Sequence, residues 1–126
     1  MSFQEVLNQL LKAIEKKNFK QLEACLPPEG PIAAIMCDGT VLEDVEDYLE
    51  FHKEWFEDGE WSITHDIVFT EETTEMSYAV VENEYFDKDD DGSYSMTLLT
   101  TCVMRHVEGR WVLTLFQQTE AGVEDS

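Results

Sequence analysis

The chain has 126 residues, enough for one domain with a real core, and 43% of them are hydrophobic, including seven Phe, four Tyr and three Trp. Its net charge of −20 at pH 7 repels phosphate backbones and anionic lipid, which argues against nucleic acid and membranes as partners. No run approaches the ~18 apolar residues of a membrane span, no basic-then-apolar leader opens the sequence, and Cys25, Cys37 and Cys102 share no CxxC spacing; a cytoplasmic protein with reduced thiols, no metal site and no cofactor is expected.

The charge is unevenly placed. Residues 1–26 carry four Lys against Glu5, Glu15 and Glu23, whereas all the later sequence has only Lys53, Lys88, Arg105 and Arg110 to set against its many acids. The plain reading is solubility; a cationic partner docking on the acidic face is the sharper one.

The first half is patterned for helices. Ser2 and Glu5 form a capping box, and Phe3, Val6, Leu7, Leu10 and Ile14 recur at helical spacing, so a helix is expected over 3–16. Asn18 and Gln21 open a shorter helix over 18–26, which Pro27-Pro28 must stop. Residues 31–37, PIAAIMC, read as a short strand ending in an Asp38-Gly39 turn. A third helix is expected over 44–57: Val45, Tyr48, Leu49, His52, Trp55 and Phe56 share a stripe, acids crowd its start, and Gly59 reads as its C-cap.

From Trp61 the period becomes two. Long strands are expected over 61–71, 76–86, 94–107 and 110–119, with the tail AGVEDS, residues 121–126, frayed. Taking Glu108-Gly109 as a two-residue turn pairs Val107 with Arg110 and His106 with Trp111. Continued without interruption, that register pairs Met104 with Leu113, Cys102 with Leu115 and Thr100 with Gln117. Met96, Leu98, Cys102, Met104, Trp111, Leu113 and Leu115 would then face the helices. Leu99, Val103 and Phe116 would lie on the outer face, apolar enough to suggest that a second subunit covers it.

The order of these elements carries a resemblance. Phe19 and Leu22 in the second helix, Asp38-Gly39 before the third, Tyr48 to Phe56 within it, Ala79-Val80-Val81 in the second long strand and the ending Gly109-Arg110-Trp111 through Gln117 and Thr119 resemble the nuclear transport factor 2-like superfamily, and within it SnoaL-like proteins. The resemblance implies an α+β fold: a curved antiparallel sheet wrapped round three N-terminal helices, forming a cone with a pocket at one end. It also implies homodimers packed through their outer sheet faces. The superfamily spans isomerases, cyclases, dehydratases and non-catalytic adaptors, so fold alone does not choose among them. Its enzymes often place an acidic base near the region that is Ile35–Met36 here, and apolar residues stand there instead.

Within that frame, His65 is expected on the helix-facing side between Ile63 and Ile67, either as a general base or as a hydrogen-bonded core histidine. Glu82 becomes an acid/base candidate if it faces inward, and a solvated strand residue if it does not. Gln117 and Thr100 could hold a ligand carbonyl or hydroxyl, or simply pair with each other. Trp55, Trp61 and Met36 suit either a flat apolar ligand or ordinary core. The acids of Asp87–Gly92 imitate the start of a calcium loop, but Leu98 stands where a bidentate Glu is needed, so turn chemistry is the simpler reading. The expected function is binding of a small apolar molecule by a homodimer, with cofactor-independent isomerase, cyclase or dehydratase chemistry as the catalytic version and a protein-interaction module as the alternative.

Overall fold

A computed structural model of the chain describes residues 1–28, 31–58, 60–89 and 92–125, together with the side chains of these except Asp89 and residues 122–125. The predicted Gly59 cap and the Asp90–Asp91 part of the acidic loop lie outside the described residues.

Helix α1 (Phe3–Glu15) starts from the predicted capping box, with the Glu5 amide donating to Ser2 Oγ at 3.2 Å and the Ser2 amide to Glu5 Oε1 at 3.0 Å. Its apolar stripe, Phe3, Val6, Leu7, Leu10, Leu11, Ala13 and Ile14, is wholly buried. Lys17 ends it in a left-handed conformation, φ +55°, which lets the Asn18 amide reach back to the Ala13 carbonyl at 2.8 Å. Asn18 at once caps α2 (Phe19–Ala24), accepting from the Gln21 amide at 3.2 Å. This helix stops short of the predicted 26: Cys25 and Leu26 leave it ahead of the two prolines, and both are buried.

Strand β1 (Pro31–Ile35) is followed by a tight turn and a strand that periodicity does not reveal, β2 (Val41–Asp44). Only Leu42 of its four residues is buried, too short an alternation to register as a strand. Gly39 turns the chain at φ +90°, a conformation that side-chain-bearing residues rarely adopt. Asp44 then caps α3 (Val45–Glu57), its Oδ1 accepting from the Asp47 amide at 2.8 Å.

The remaining strands are β3 (Ser62–Glu71), β4 (Met76–Asp89), β5 (Gly92–Val107) and β6 (Arg110–Asp125). The six strands form one sheet in the order β2-β1-β6-β5-β4-β3, antiparallel except where β1 runs parallel to β6. The helices lie against its inner face, so the fold is mixed α+β, and the core is the layer between them, with Ala79, Val81, Cys102, Met104, Leu113 and Phe116 contributed by the sheet. Strand β6 pairs with β5 as far as Asp125, so the tail expected to fray is strand.

The hairpin corrects the uninterrupted register. Val107 pairs with Arg110 and Met104 with Leu113, as the two-residue turn requires, but Val103 pairs with Leu115 and Cys102 with Phe116. Thr114 is an extra residue in β6, a bulge that exchanges the strand's two faces beyond it. Phe116, expected at the subunit contact, is therefore 1% exposed in the core, while Leu115 and Gln117 turn outward. The bulge falls where the neighbour of β6 changes: the Leu113 amide donates to the Cys25 carbonyl at 3.0 Å, and β1 takes over from Leu115.

Candidate functional site

One end of the layer between α3 and the sheet is open, and a cleft of about 160 Å³ enters it. The β1–β2 turn supplies one side through Met36, Cys37 and Asp38, and α3 supplies Phe51 and Trp55. The inner sheet face closes it with Tyr85, Tyr94, Met96, Leu98 and Gln118. The walls are thus aromatic and thioether-bearing, with few polar groups.

The aromatic side is held rigidly. Trp55 stacks on Trp61 at 4.1 Å with the rings 10° apart, and the Trp61 indole N–H donates to the Trp55 carbonyl at 2.8 Å. The Lys17 ammonium sits 4.2 Å from the Trp61 ring centre on the side of α1, a cation–π contact that the left-handed turn at Lys17 makes possible. Tyr85 leans on the same pair, and its hydroxyl donates to Asp87 Oδ2 at 2.8 Å. Burial and the neighbouring Asp87 carboxylate both raise the Tyr85 pKa, keeping the phenol protonated. Asp87 also accepts from Tyr94, so this carboxylate serves the tyrosines.

Besides the two tyrosine hydroxyls, Gln118, Asp38 and Cys37 bring polar groups to the cleft. Gln118 is 6% exposed and its carboxamide makes no hydrogen bond to any side chain or backbone group among the described residues. Asp38 accepts from the Thr40 amide at 2.9 Å, and those bonds to Thr40 hold its carboxyl below the ordinary value. The Cys37 thiol is pushed up by burial and by Asp38 beside it. An ionised Asp38 committed to its turn is a weak proton acceptor, and a thiol raised above its ordinary value is a poor nucleophile.

The residues singled out from sequence are distributed as follows. Met36 and Trp55 line the cleft, and Trp61 supports Trp55 from behind. Thr100 is buried on the inner face, donating to Asn83 Oδ1, and its cross-strand neighbour is Gln118, not Gln117. Gln117 is exposed on the outer face, because the Thr114 bulge moves the inward position one residue along. Glu82 is also exposed: Val81 and Asn83 on either side of it are buried, so Glu82 points outward. His65 is on the inner side but belongs to the α1–β3 contact, with Nδ1 2.9 Å from Glu15 Oε1. His65 thus has the acid partner that the sequence does not disclose, 50 positions away. Burial lowers its pKa, opposed by Glu15. His65 and Glu82 face opposite sides of the sheet, and the structure does not bring them together.

Sequence reasoning missed Gln118 and Asn83, and placed His52 on the α3 stripe without singling it out. His52 is fully buried in α3, its Nδ1–H donating to the Tyr48 carbonyl at 2.9 Å and its Nε2 without a partner among the described residues. Asn83 likewise leaves Nδ2 unpaired. The predicted apolar stripe of α3 places His52 inside, as found; Gln118 could have been found only by placing the bulge.

A curved sheet wrapped round three helices with a cleft at the open end is the architecture of the nuclear transport factor 2-like, or cystatin-like, cone folds. The chain belongs to the SnoaL-like domain family, whose model matches residues 4–118. No curated protein matches it. Among solved structures, it is similar to a candidate calcium/calmodulin-dependent protein kinase type II association domain from Thiobacillus denitrificans, with a TM-score of 0.82, 14% identity and 96% of each chain covered. A ketosteroid isomerase-like protein from Erwinia carotovora atroseptica superposes with a TM-score of 0.80 at 9% identity, covering 94% of this chain and 93% of the other. A candidate dehydratase of the nuclear transport factor 2-like family from Streptomyces avermitilis gives 0.76 at 13% identity, covering 92% and 91%. At these identities the likeness establishes the fold. No helix among the described residues is long and apolar enough to cross a membrane.

Proposed function

We propose that the chain binds a small, compact apolar molecule in the cleft at the open end of the cone, oriented by Gln118. The observation that carries this reading is Gln118, a residue 6% exposed whose carboxamide has no protein partner among the described residues and opens on a largely apolar cleft. An amide facing the cleft can exchange its water for a ligand carbonyl or hydroxyl, which fixes the ligand's orientation. The volume bounds the ligand. An apolar cavity of roughly 150 Å³ holds one benzene-sized ring, so a single ring bearing one oxygen fits better than a polycyclic steroid. Binding without acid–base turnover is the reading favoured, since Asp38 is the carboxylate at the cleft and its turn holds it ionised.

Quenching of tryptophan fluorescence by acetophenone tests it, because Trp55 forms a wall. The quenching should saturate, and Gln118→Ala should weaken it about tenfold with the melting temperature unchanged. His65→Gln should leave it unaltered, because His65 stands outside the cleft. Loss of binding in the His65 variant at full stability would restore that residue as part of the site, and non-saturating quenching in the parent protein would remove the ligand-binding reading.

A second reading, self-association, is supported by the outer sheet face, where Leu99 is 39% exposed and Val103 half-buried on the same strand. The Thiobacillus relative, an association domain in its own description, points the same way. A homodimer packed through this face would lose its contact in Leu99→Glu. Light scattering at micromolar concentration should read a dimer for the parent chain and a monomer for the variant; a monomeric parent would sink this reading.

A further inference from the structure

Both arginines of this acidic chain line one groove, remote from the cleft at the cone's mouth. The groove, about 310 Å³, lies between the end of the β5–β6 hairpin and the prolines that follow α2. A broader hollow against β1 and β2 shares Arg105 and Thr114 with it. Arg105 pairs with Val112 and Val107 with Arg110 across the hairpin, so these four side chains share the outer face, the two arginines as diagonal neighbours roughly 7–8 Å apart.

The two guanidinium groups are used differently. Arg110 Nη2 donates to the Ala24 and Leu26 carbonyls at 3.0 and 2.9 Å, fixing the chain after α2 onto the hairpin. Arg105 donates to nothing among the described residues, and the ion pair found among them is that of His65 with Glu15. The Thr114 hydroxyl, on the wall common to both hollows, is equally without a partner there. In a chain of net charge −20, no carboxylate among the described residues pairs with this arginine, although Glu108 lines the groove and Glu43 the adjoining hollow. The donors left open in the groove are the Arg105 guanidinium and the Thr114 hydroxyl. Its floor is apolar, with Val112 4% exposed beneath the groove.

We propose that this groove binds a monocarboxylate with a short apolar body. The carboxylate takes two parallel N–H donors from Arg105, the geometry that a planar guanidinium matches, and a third hydrogen bond from Thr114. The apolar body lies over Val112 and Val107. Glu108 also lines the groove, and its charge penalises a dianion more than a monoanion, which selects carboxylate over phosphate.

The test is an NMR titration of the 15N-labelled full chain with sodium hexanoate at neutral pH and 0.15 M NaCl, where distant acids are screened over a Debye length of about 8 Å. Saturable shifts are expected at the Arg105 side-chain N–H and at the amides of Val107 and Thr114. Hexan-1-ol and inorganic phosphate should bind at least tenfold more weakly, and Arg105→Met should lower hexanoate affinity at least tenfold while the rest of the spectrum is retained. Equal affinity for hexanol, equal affinity for phosphate, or undiminished binding by the Arg105 variant would each overturn the proposal. Gln118→Ala should leave hexanoate affinity unchanged; shifts that centre on Gln118 and vanish in that variant would place hexanoate in the cone's cleft and overturn it too. Failure of acetophenone binding bears on the cleft alone.

Discussion

His52 is an imidazole held where it cannot readily take up a charge. Stacked on Tyr48 at 4.1 Å and edged by Phe51, Trp55, Phe56 and Phe116, it has no described partner for Nε2, and burial lowers its pKa from 6.5 to about 4. The unfolded chain binds this proton more readily than the folded one. The associated stability is therefore fully present above pH 6.5 and drains away as the pH falls through 6.5 toward 4, amounting to roughly 3 kcal/mol. His65, also lowered by burial, acts in the same direction. Urea denaturation between pH 7.5 and 4.5 should show stability falling with acid, and His52→Phe should flatten that slope. An unchanged slope in the variant would mean that the acid sensitivity arises elsewhere. At this scale the sequence was least informative: a histidine on an apolar stripe does not disclose whether its second nitrogen finds a partner, and the acid beside His65 comes from α1.

Elements were more legible, because each is announced by local chemistry. The Ser2–Glu5 box, the Asn18 cap and the Glu108-Gly109 turn are written in adjacent residues, and all three are present. What was not legible is the Thr114 bulge, since Leu113, Leu115 and Phe116 are apolar in either phase and periodicity cannot tell which of them face inward. That single insertion carried Gln117 out, Gln118 in and Phe116 into the core, so the site residue and the subunit contact were misplaced together. The bulge makes an unambiguous prediction. Phe116→Ala should cost about 3–5 kcal/mol, as for a fully buried aromatic, and Leu115→Ala markedly less; the reverse order in denaturant midpoints would restore the uninterrupted register. At the other end of the chain, Ser2→Ala should cost about 1 kcal/mol through the lost cap.

For the whole molecule, charge is the dominant fact. A net charge of −20 on a chain of 126 residues works against compaction by self-repulsion, and salt screens it. Raising NaCl from 0.01 to 0.15 M should raise the melting temperature by several degrees, and a flat response would show that the acids are spaced widely enough not to interact. The same screening should favour pairing of two outer sheet faces, which carry Glu82 and Glu84 beside Leu99.

The Trp55–Trp61 stack has a consequence beyond packing. Two indoles 4.1 Å apart and nearly parallel are coupled chromophores, whose electronic transitions mix and split into a paired circular dichroism signal in the far ultraviolet. One member belongs to α3 and the other immediately precedes β3, so the signal exists only while helix and sheet are locked together. The protein therefore carries its own optical gauge of the cone's mouth, one that should disappear on unfolding and change when a ring enters beside Trp55.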